Sequence, residues 1–222
     1  MHEIITIQIG REANYVGTHY WNTQSSYTTP LLDHNISFQP SLTSKIETPF
    51  PRTLIYDFKS SLGSFIHDQD PIEPETPAEE GLTTIQTTPS TPSHPYQVAL
   101  STTFDPPTPL PETVRYWSDY NRTFFNRRSI HPLSDSPSTP GFELFNNLDT
   151  TDNGIVDTHL RPLLEECDHL QGLQFLTSTT TPWNDFTTSY LEQTHDEVGK
   201  IPLWVWGCGS DSSSRRVVQQ AR

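Results

Sequence analysis

The sequence predicts an α/β fold: a parallel sheet with helices on its faces. A β-branched run, Glu3-Ile4-Ile5-Thr6-Ile7-Gln8-Ile9, opens the chain and breaks at Gly10. Ala13, Val16, Gly17, Tyr20 and Trp21 then recur at helical spacing. Further short apolar runs alternate with helical patterns toward the C-terminus. Alternation of strand and helix implies a parallel sheet, because each crossover helix returns the chain to the same end of the sheet.

The elements follow in order. Glu3 to Ile9 is apolar toward both sides, as a central parallel strand is. Gly10 supplies the tight turn into a helix. Thr23 to Phe50 is polar and poorly periodic and reads as a long surface excursion. A second strand is expected at Thr53 to Phe58, between Pro49 and Pro51 on one side and Ser60, Ser61 and Gly63 on the other. The stretch 67–112 is rich in proline, acids, Ser and Thr. It buries too little apolar surface to offset its ordering entropy, so a disordered acidic insert is expected there. Order should resume near Val114. Ile155 to Cys167 places Val156, Leu160, Leu163, Leu164 and Cys167 on one helical face, with Pro162 starting or kinking that helix. Leu173 to Leu176 reads as a strand, Phe186 to Val198 as a helix and Leu203 to Trp206 as a buried strand. The α/β domain is thus expected over 1–66 and 113–207, followed by an unstructured tail over 208–222.

Composition narrows the function. The 222 residues suit one or two domains, and the hydrophobic fraction is 32%, against the roughly 45–50% usual in globular domains. The formal net charge of −14 disfavours direct contact with nucleic acid or an anionic membrane surface. A local exception gathers Arg115, Arg122, Arg127 and Arg128 around Tyr116, Trp117, Tyr120, Phe124 and Phe125. It reads as a solvated face beside a buried aromatic cluster. Cys167 and Cys208 sit in no CxxC pair and have no histidines at zinc spacing, so no metal site is expected. The N-terminus lacks the features of a signal peptide or a mitochondrial presequence, and no run approaches the length of a membrane span. A cytoplasmic chain without membrane insertion is expected, which makes the sequons at Asn35 and Asn121 chance matches. Asp149 to Gly154 has the look of a calcium loop, but its twelfth position is Leu160 rather than Glu, so it reads as a turn and helix cap. The adjacent Cys167, Asp168 and His169 form no catalytic pattern, and no GxSxG, HExxH or Walker motif occurs.

Three stretches, in order and at compatible separations, resemble the tubulin superfamily. The first is EIITIQIG, continuing through Asn14, Gly17 and Trp21. The second is Pro51-Arg52-Thr53-Leu54-Ile55-Tyr56-Asp57. The third is Glu165-Glu166-Cys167-Asp168-His169-Leu170-Gln171-Gly172-Leu173-Gln174. Tyr15, Gly17-Thr18-His19-Tyr20-Trp21-Asn22, the PRTLIYD stretch, Trp117-Ser118-Asp119-Tyr120, EECDHLQG and the long insert are similar, within that superfamily, to the Misato/Dml family. The resemblance implies a Rossmann-like domain of the tubulin/FtsZ N-terminal type. It is incomplete here, since family members are about twice as long. It also implies a role in mitochondrial distribution and mitochondrial DNA inheritance, carried out in the cytoplasm and at the mitochondrial outer surface. Protein partners, cytoskeletal or chaperone components, follow from the same resemblance.

A tubulin phosphate site needs a glycine-rich loop whose backbone N–H groups approach the anion at a helix N-terminus. Here that loop falls on Thr180-Thr181-Pro182-Trp183-Asn184-Asp185-Phe186, which has no glycine. Pro182 removes a donor, Trp183 takes up the approach and Asp185 adds negative charge. In the first loop, Arg11, Glu12 and Ala13 stand where tubulins carry glycine, glutamine and cysteine. Glu12 repels phosphate and Arg11 partly compensates. The expectation is a degenerate nucleotide site around Gly10, Arg11, Asn14, Thr180 and Asn184, with no GTP, no other cofactor and no catalysis. A divergent GTP-binding protein and a cytoskeletal subunit that assembles with tubulin are the alternatives. The strongly apolar strand at Leu203 to Trp206, close to the C-terminus, is expected to leave an aggregation-prone edge.

Overall fold

The computed structural model describes residues 2–27, 33–40, 49–63, 91–103, 107, 109–136, 138–149 and 154–209. Its centre is a five-stranded, wholly parallel sheet. The strands are β1 (Glu3–Ile9), β4 (Thr53–Phe58), β5 (Ile130–Leu133), β6 (Leu170–Ser178) and β7 (Leu203–Cys208), in the order β5-β4-β1-β6-β7. A two-stranded antiparallel ribbon, β2 (Phe38–Pro40) and β3 (Pro49–Pro51), lies outside it.

The central position of β1 follows from its sequence. Ile5, Ile7 and Ile9 point to one face and are fully buried. They join Leu54, Tyr56, Leu173 and Phe175 under the helices α3 (Gly141–Asp149), α4 (Arg161–Glu165) and α5 (Trp183–Val198). Burial of each such aliphatic side chain contributes about 1.5–3 kcal/mol. Thr6 and Gln8 point to the other face, beneath α1 (Arg11–Ser26). There Gln8 Nε2 donates to Thr53 Oγ1 at 3.0 Å, and Thr53 Oγ1 donates to the Thr6 carbonyl at 2.8 Å. A Cβ at Gly17 would overlap the Gln8 carboxamide, so α1 rests directly on β1. Trp21, Phe38, Ile55, Leu62, Trp117 and Phe125 form a second core on this side.

Several boundaries differ from the sequence expectation. Residues 91–103 fall within the stretch expected to be disordered, yet Pro95–Thr102 forms α2, capped by the His94 side chain. His94 and Tyr96 are buried, and Gln97 Nε2 donates to the carbonyls of Ser118, Asp119 and Asn121. Side-chain bonds to a distant backbone supply what composition did not reveal. Of the remaining expected insert, 67–90, 104–106 and 108 lie outside the described residues, and Pro111–Thr113 forms a short helical turn. β6 is longer than expected, α5 begins at Trp183, and β7 extends to Cys208, the first residue of the expected tail. The remainder of the expected tail, 210–222, lies outside the described residues.

Within the expected surface excursion, Phe38 is buried against Trp21, their ring centroids 5.5 Å apart. β5 and α3 had no counterpart in the sequence reading. β5 is short and contains Pro132, which a sheet accepts at an edge. The helix around Pro162 has a wide turn over Val156–Leu160, where Arg161 N–H reaches the Val156 carbonyl, before it continues as α4. Val156, Leu160 and Leu163 are buried as the helical spacing requires.

Candidate functional site

The loops β1–α1 and β6–α5 meet at the C-terminal ends of adjacent strands, where a doubly wound sheet binds ligands. Gly10 adopts φ 87°, which only glycine tolerates cheaply, and its carbonyl accepts from Asn14 N–H at 3.0 Å. The amides of Glu12 and Ala13 open α1, and such N–H groups form an anion site in related geometries. Here both donate to Ser178 Oγ, at 3.1 and 3.2 Å. Trp183 fills the space above: a Cβ on Gly10 would lie 2.6 Å from the indole and 2.7 Å from Ser178 Oγ. Trp183 is 4% exposed and packs on Phe58 at 4.7 Å between centroids.

The second loop is equally closed. The Thr180 carbonyl accepts from the amides of Trp183 (2.9 Å) and Asn184 (3.4 Å), and the Pro182 carbonyl accepts from Phe186 N–H. Gly141, at the start of α3, sits so close to Pro182 and Phe186 that a side chain there would overlap their backbone. The sequence expectation placed Gly10, Arg11, Asn14, Thr180 and Asn184 around one corner. The fold brings the two loops together but turns Asn14 and Arg11 aside. Arg11 lies over the Tyr15 ring at 5.8 Å. Asn14 Nδ2 donates to the Tyr56 carbonyl (3.3 Å) and to Asp57 Oδ2 (3.0 Å). The residues at this corner do not fit a nucleotide phosphate, because its space holds an indole and its donors hold a serine hydroxyl.

Sequence reasoning missed two of the polar groups here. Ser178 stands at the end of β6 without any flanking motif. Asp57 stands in the sequence only as the last residue of the second matching stretch, yet it is fully buried and takes bonds from Asn14, from Phe58 N–H (2.9 Å) and from Trp117 Nε1 (3.1 Å). Burial pushes its carboxyl up to about 6, against those three hydrogen bonds, and the Glu12 charge adds to the rise.

At the opposite end of the strands, the three stretches that carry the resemblance become neighbours. Glu3 N–H donates to the His169 carbonyl, and Glu3 Oε2 accepts from His169 N–H at 2.9 Å. Arg52 Nη1 donates to the Glu166 carbonyl at 3.4 Å. Cys167 is half-buried, and burial lifts its thiol to about 11 despite the nearby Arg52 guanidinium, so it is a packing residue rather than a nucleophile.

A second cluster lies near β5. Tyr190, Tyr56 and His159 form a chain, with Tyr56 Oη 3.3 Å from Tyr190 Oη and 3.0 Å from His159 Nδ1. His131 stacks on His159 at 3.6 Å. Burial, with the neighbouring His159, lowers His131 to about 3, and burial lowers His159 to about 4, so both rings are neutral at neutral pH. The four arginines of the Arg-rich segment are exposed, and the aromatic cluster expected beside them is buried only in part: Trp117 and Phe125 are buried, Tyr116 and Tyr120 are partly buried, and Phe124 is exposed. Among the described residues, no group of three or more His, Cys, Asp or Glu could hold a metal, and no helix is long and apolar enough to cross a membrane.

Comparison with known proteins agrees with this arrangement. Residues 2–102 match the Misato Segment II tubulin-like domain, and residues 106–222 match a tubulin domain. Protein dml-1 of Neurospora crassa is 39% identical over 97% of this chain and 44% of its own length. Protein dml1 of Aspergillus niger is 38% identical over 100% of this chain and 50% of its own length. Protein dml1 of Schizosaccharomyces pombe is 34% identical over 96% and 54% respectively. The chain thus spans about half the length of these curated relatives. A parallel tubulin-type sheet, the adjacency of the three motif stretches and these matches together make the chain a member of the Misato/Dml1 family of tubulin-like proteins.

Proposed function

We propose that this chain is a non-catalytic, tubulin-like recognition protein acting in mitochondrial distribution and mitochondrial DNA inheritance. It works in the cytoplasm and at the mitochondrial outer surface through cytoskeletal or chaperone partners. One observation carries the non-catalytic part: the donors that would hold a phosphate are bonded to Ser178, and Trp183 lies on Gly10. A tubulin-type hydrolase needs that cradle open, since its chemistry is positioning and charge stabilisation at the phosphates. The organelle role rests on family resemblance. The site geometry supports it only in leaving recognition rather than chemistry as the mode of action.

Calorimetric titration of GTP with magnesium into the purified chain tests the first part. No saturable heat is expected. Micromolar binding that disappears on Asn14→Ala or Arg11→Ala would overturn it in favour of a divergent GTP-binding protein. Co-sedimentation with microtubules would favour a cytoskeletal subunit instead. Removing the protein from its host should disturb mitochondrial distribution and lower mitochondrial DNA content, and normal values of both would overturn the organelle role.

A further inference from the structure

A cleft of about 180 Å³ opens between β2, β5 and the wide turn Val156–Leu160. Two imidazoles, His131 and His159, form part of its wall, and their hydrogen bonds fix which nitrogen of each carries the proton. Tyr190 is fully buried, and Tyr56 Oη is the partner that the described residues give its hydroxyl. A buried O–H left without an acceptor costs about 1–3 kcal/mol, so Tyr190 donates to Tyr56. Tyr56 then donates to His159 Nδ1. The neutral His159 ring therefore has its proton on Nε2 and offers that N–H to the cleft. His131, stacked on it, donates to the Arg128 carbonyl, while its Nε2 is buried without a partner among the described residues. Its proton is thus on Nδ1, and Nε2 is left as an acceptor short of a donor.

Charged groups flank these rings. The Arg128 guanidinium, just before β5, and the Glu166 carboxylate, at the end of α4, line the same cleft, and both residues are exposed. Among the described residues neither is in an ion pair. Pro162 and Leu163 add apolar wall. The turn that carries His159 is closed by Arg161 N–H bonding to the carbonyl five residues back, and such widened turns within helices occur frequently at functional sites.

A purely anionic ligand fits this set poorly. Glu166 opposes it locally, and the net charge of −14 opposes its approach. A zwitterion meets neither objection. The volume lies below the roughly 300–1,000 Å³ of sites for drug-sized ligands, so the occupant is small. We propose that this cleft binds a small zwitterion of the amino-acid type. Its carboxylate accepts from Arg128 and His159 Nε2–H, its ammonium donates to Glu166 and His131 Nε2, and its carbon chain lies on Pro162 and Leu163.

The test is nuclear magnetic resonance of the full chain with isotope-labelled histidine rings. The probes are glycine, β-alanine and γ-aminobutyrate, with propionate and propylamine as one-ended controls. Without ligand, His159 is expected to be protonated on Nε2 and His131 on Nδ1, and a His159 ring protonated on Nδ1 would contradict the proposal. One of the three amino acids is expected to shift both rings saturably in the millimolar range, and each one-ended control to bind at least about tenfold more weakly. Arg128→Gln and Glu166→Gln, both at exposed positions, should each weaken that amino acid at least about tenfold, while Glu166→Gln tightens propionate. The absence of a saturable shift at about 50 mM of every amino acid, some 50-fold above a millimolar Kd, would overturn the proposal. So would propionate binding as tightly as the amino acids, or variants that bind them undiminished. If a variant fails to fold, the comparison of amino acids with one-ended controls on wild type decides.

Discussion

The two loops at the top of the sheet have been closed in opposite ways. At β1–α1 the glycine turn and the helix start keep the geometry of an anion loop, and polar groups occupy it: Ser178 takes the Glu12 and Ala13 amides, and Asn14 turns to Asp57. At β6–α5 there is no glycine from Thr180 to Phe186, and an aromatic plug of Trp183, Phe58 and Phe186 fills the corner. The comparison teaches that a glycine turn and helix start can keep an anion-loop backbone while their donors are bonded within the protein. The first loop retains Gly10 because the turn still needs φ 87° and because Trp183 now rests on it.

Each closure can be broken separately. The apolar one should matter most. Trp183→Ala removes a side chain that is 4% exposed and should cost about 3–5 kcal/mol, read from urea denaturation of both proteins. A loss below about 1 kcal/mol would mean that the corner collapses onto the gap and the indole is not what holds it.

The polar closure should show itself in pH dependence. Asp57 has its carboxyl raised to about 6 in the fold, against about 3.9 in an unfolded chain, so the fold favours its protonated form. That contribution is fully present below pH 3.9 and is lost as pH rises through about 6. Asp57→Asn removes it, while one side-chain oxygen can still accept from Asn14 and Trp117. Relative to wild type, the variant should therefore gain on the order of 2 kcal/mol between pH 4 and pH 7. Parallel denaturation curves at the two pH values would refute the burial of an ionised carboxylate at this point.

The smallest effect should come from Ser178→Ala, which leaves the Glu12 and Ala13 amides without their acceptor at a cost of about 1–2 kcal/mol. The double variant with Trp183→Ala sharpens the comparison. Independent closures give additive losses, and a shared one gives a coupling above about 0.5 kcal/mol.

By itself, the sequence determined the buried central strands and the turn that follows the first of them; that one face of the first strand is lined by the polar Thr6 and Gln8 was decided by the Thr53 partner across the sheet. The spacing of isoleucines in Glu3–Ile9, the glycine after it and the β-branched run at Thr53–Phe58 are local patterns, and burial in a parallel sheet is the way to satisfy them. The absence of glycine from Thr180 to Phe186 was legible for the same reason, since it concerns which backbone shapes a short segment can take. Only the tertiary structure decided the rest. Ser178 became the internal partner of α1 because β6 pairs with β1 and brings the two strand ends side by side. Asp57 became a buried acid because α1 and the Trp117 segment close over it. α2 formed inside a proline-rich stretch because Gln97 and Tyr96 found partners and cover far along the chain. These contacts join residues distant in sequence, and a local pattern carries no information about which distant groups the fold will bring within hydrogen-bonding distance.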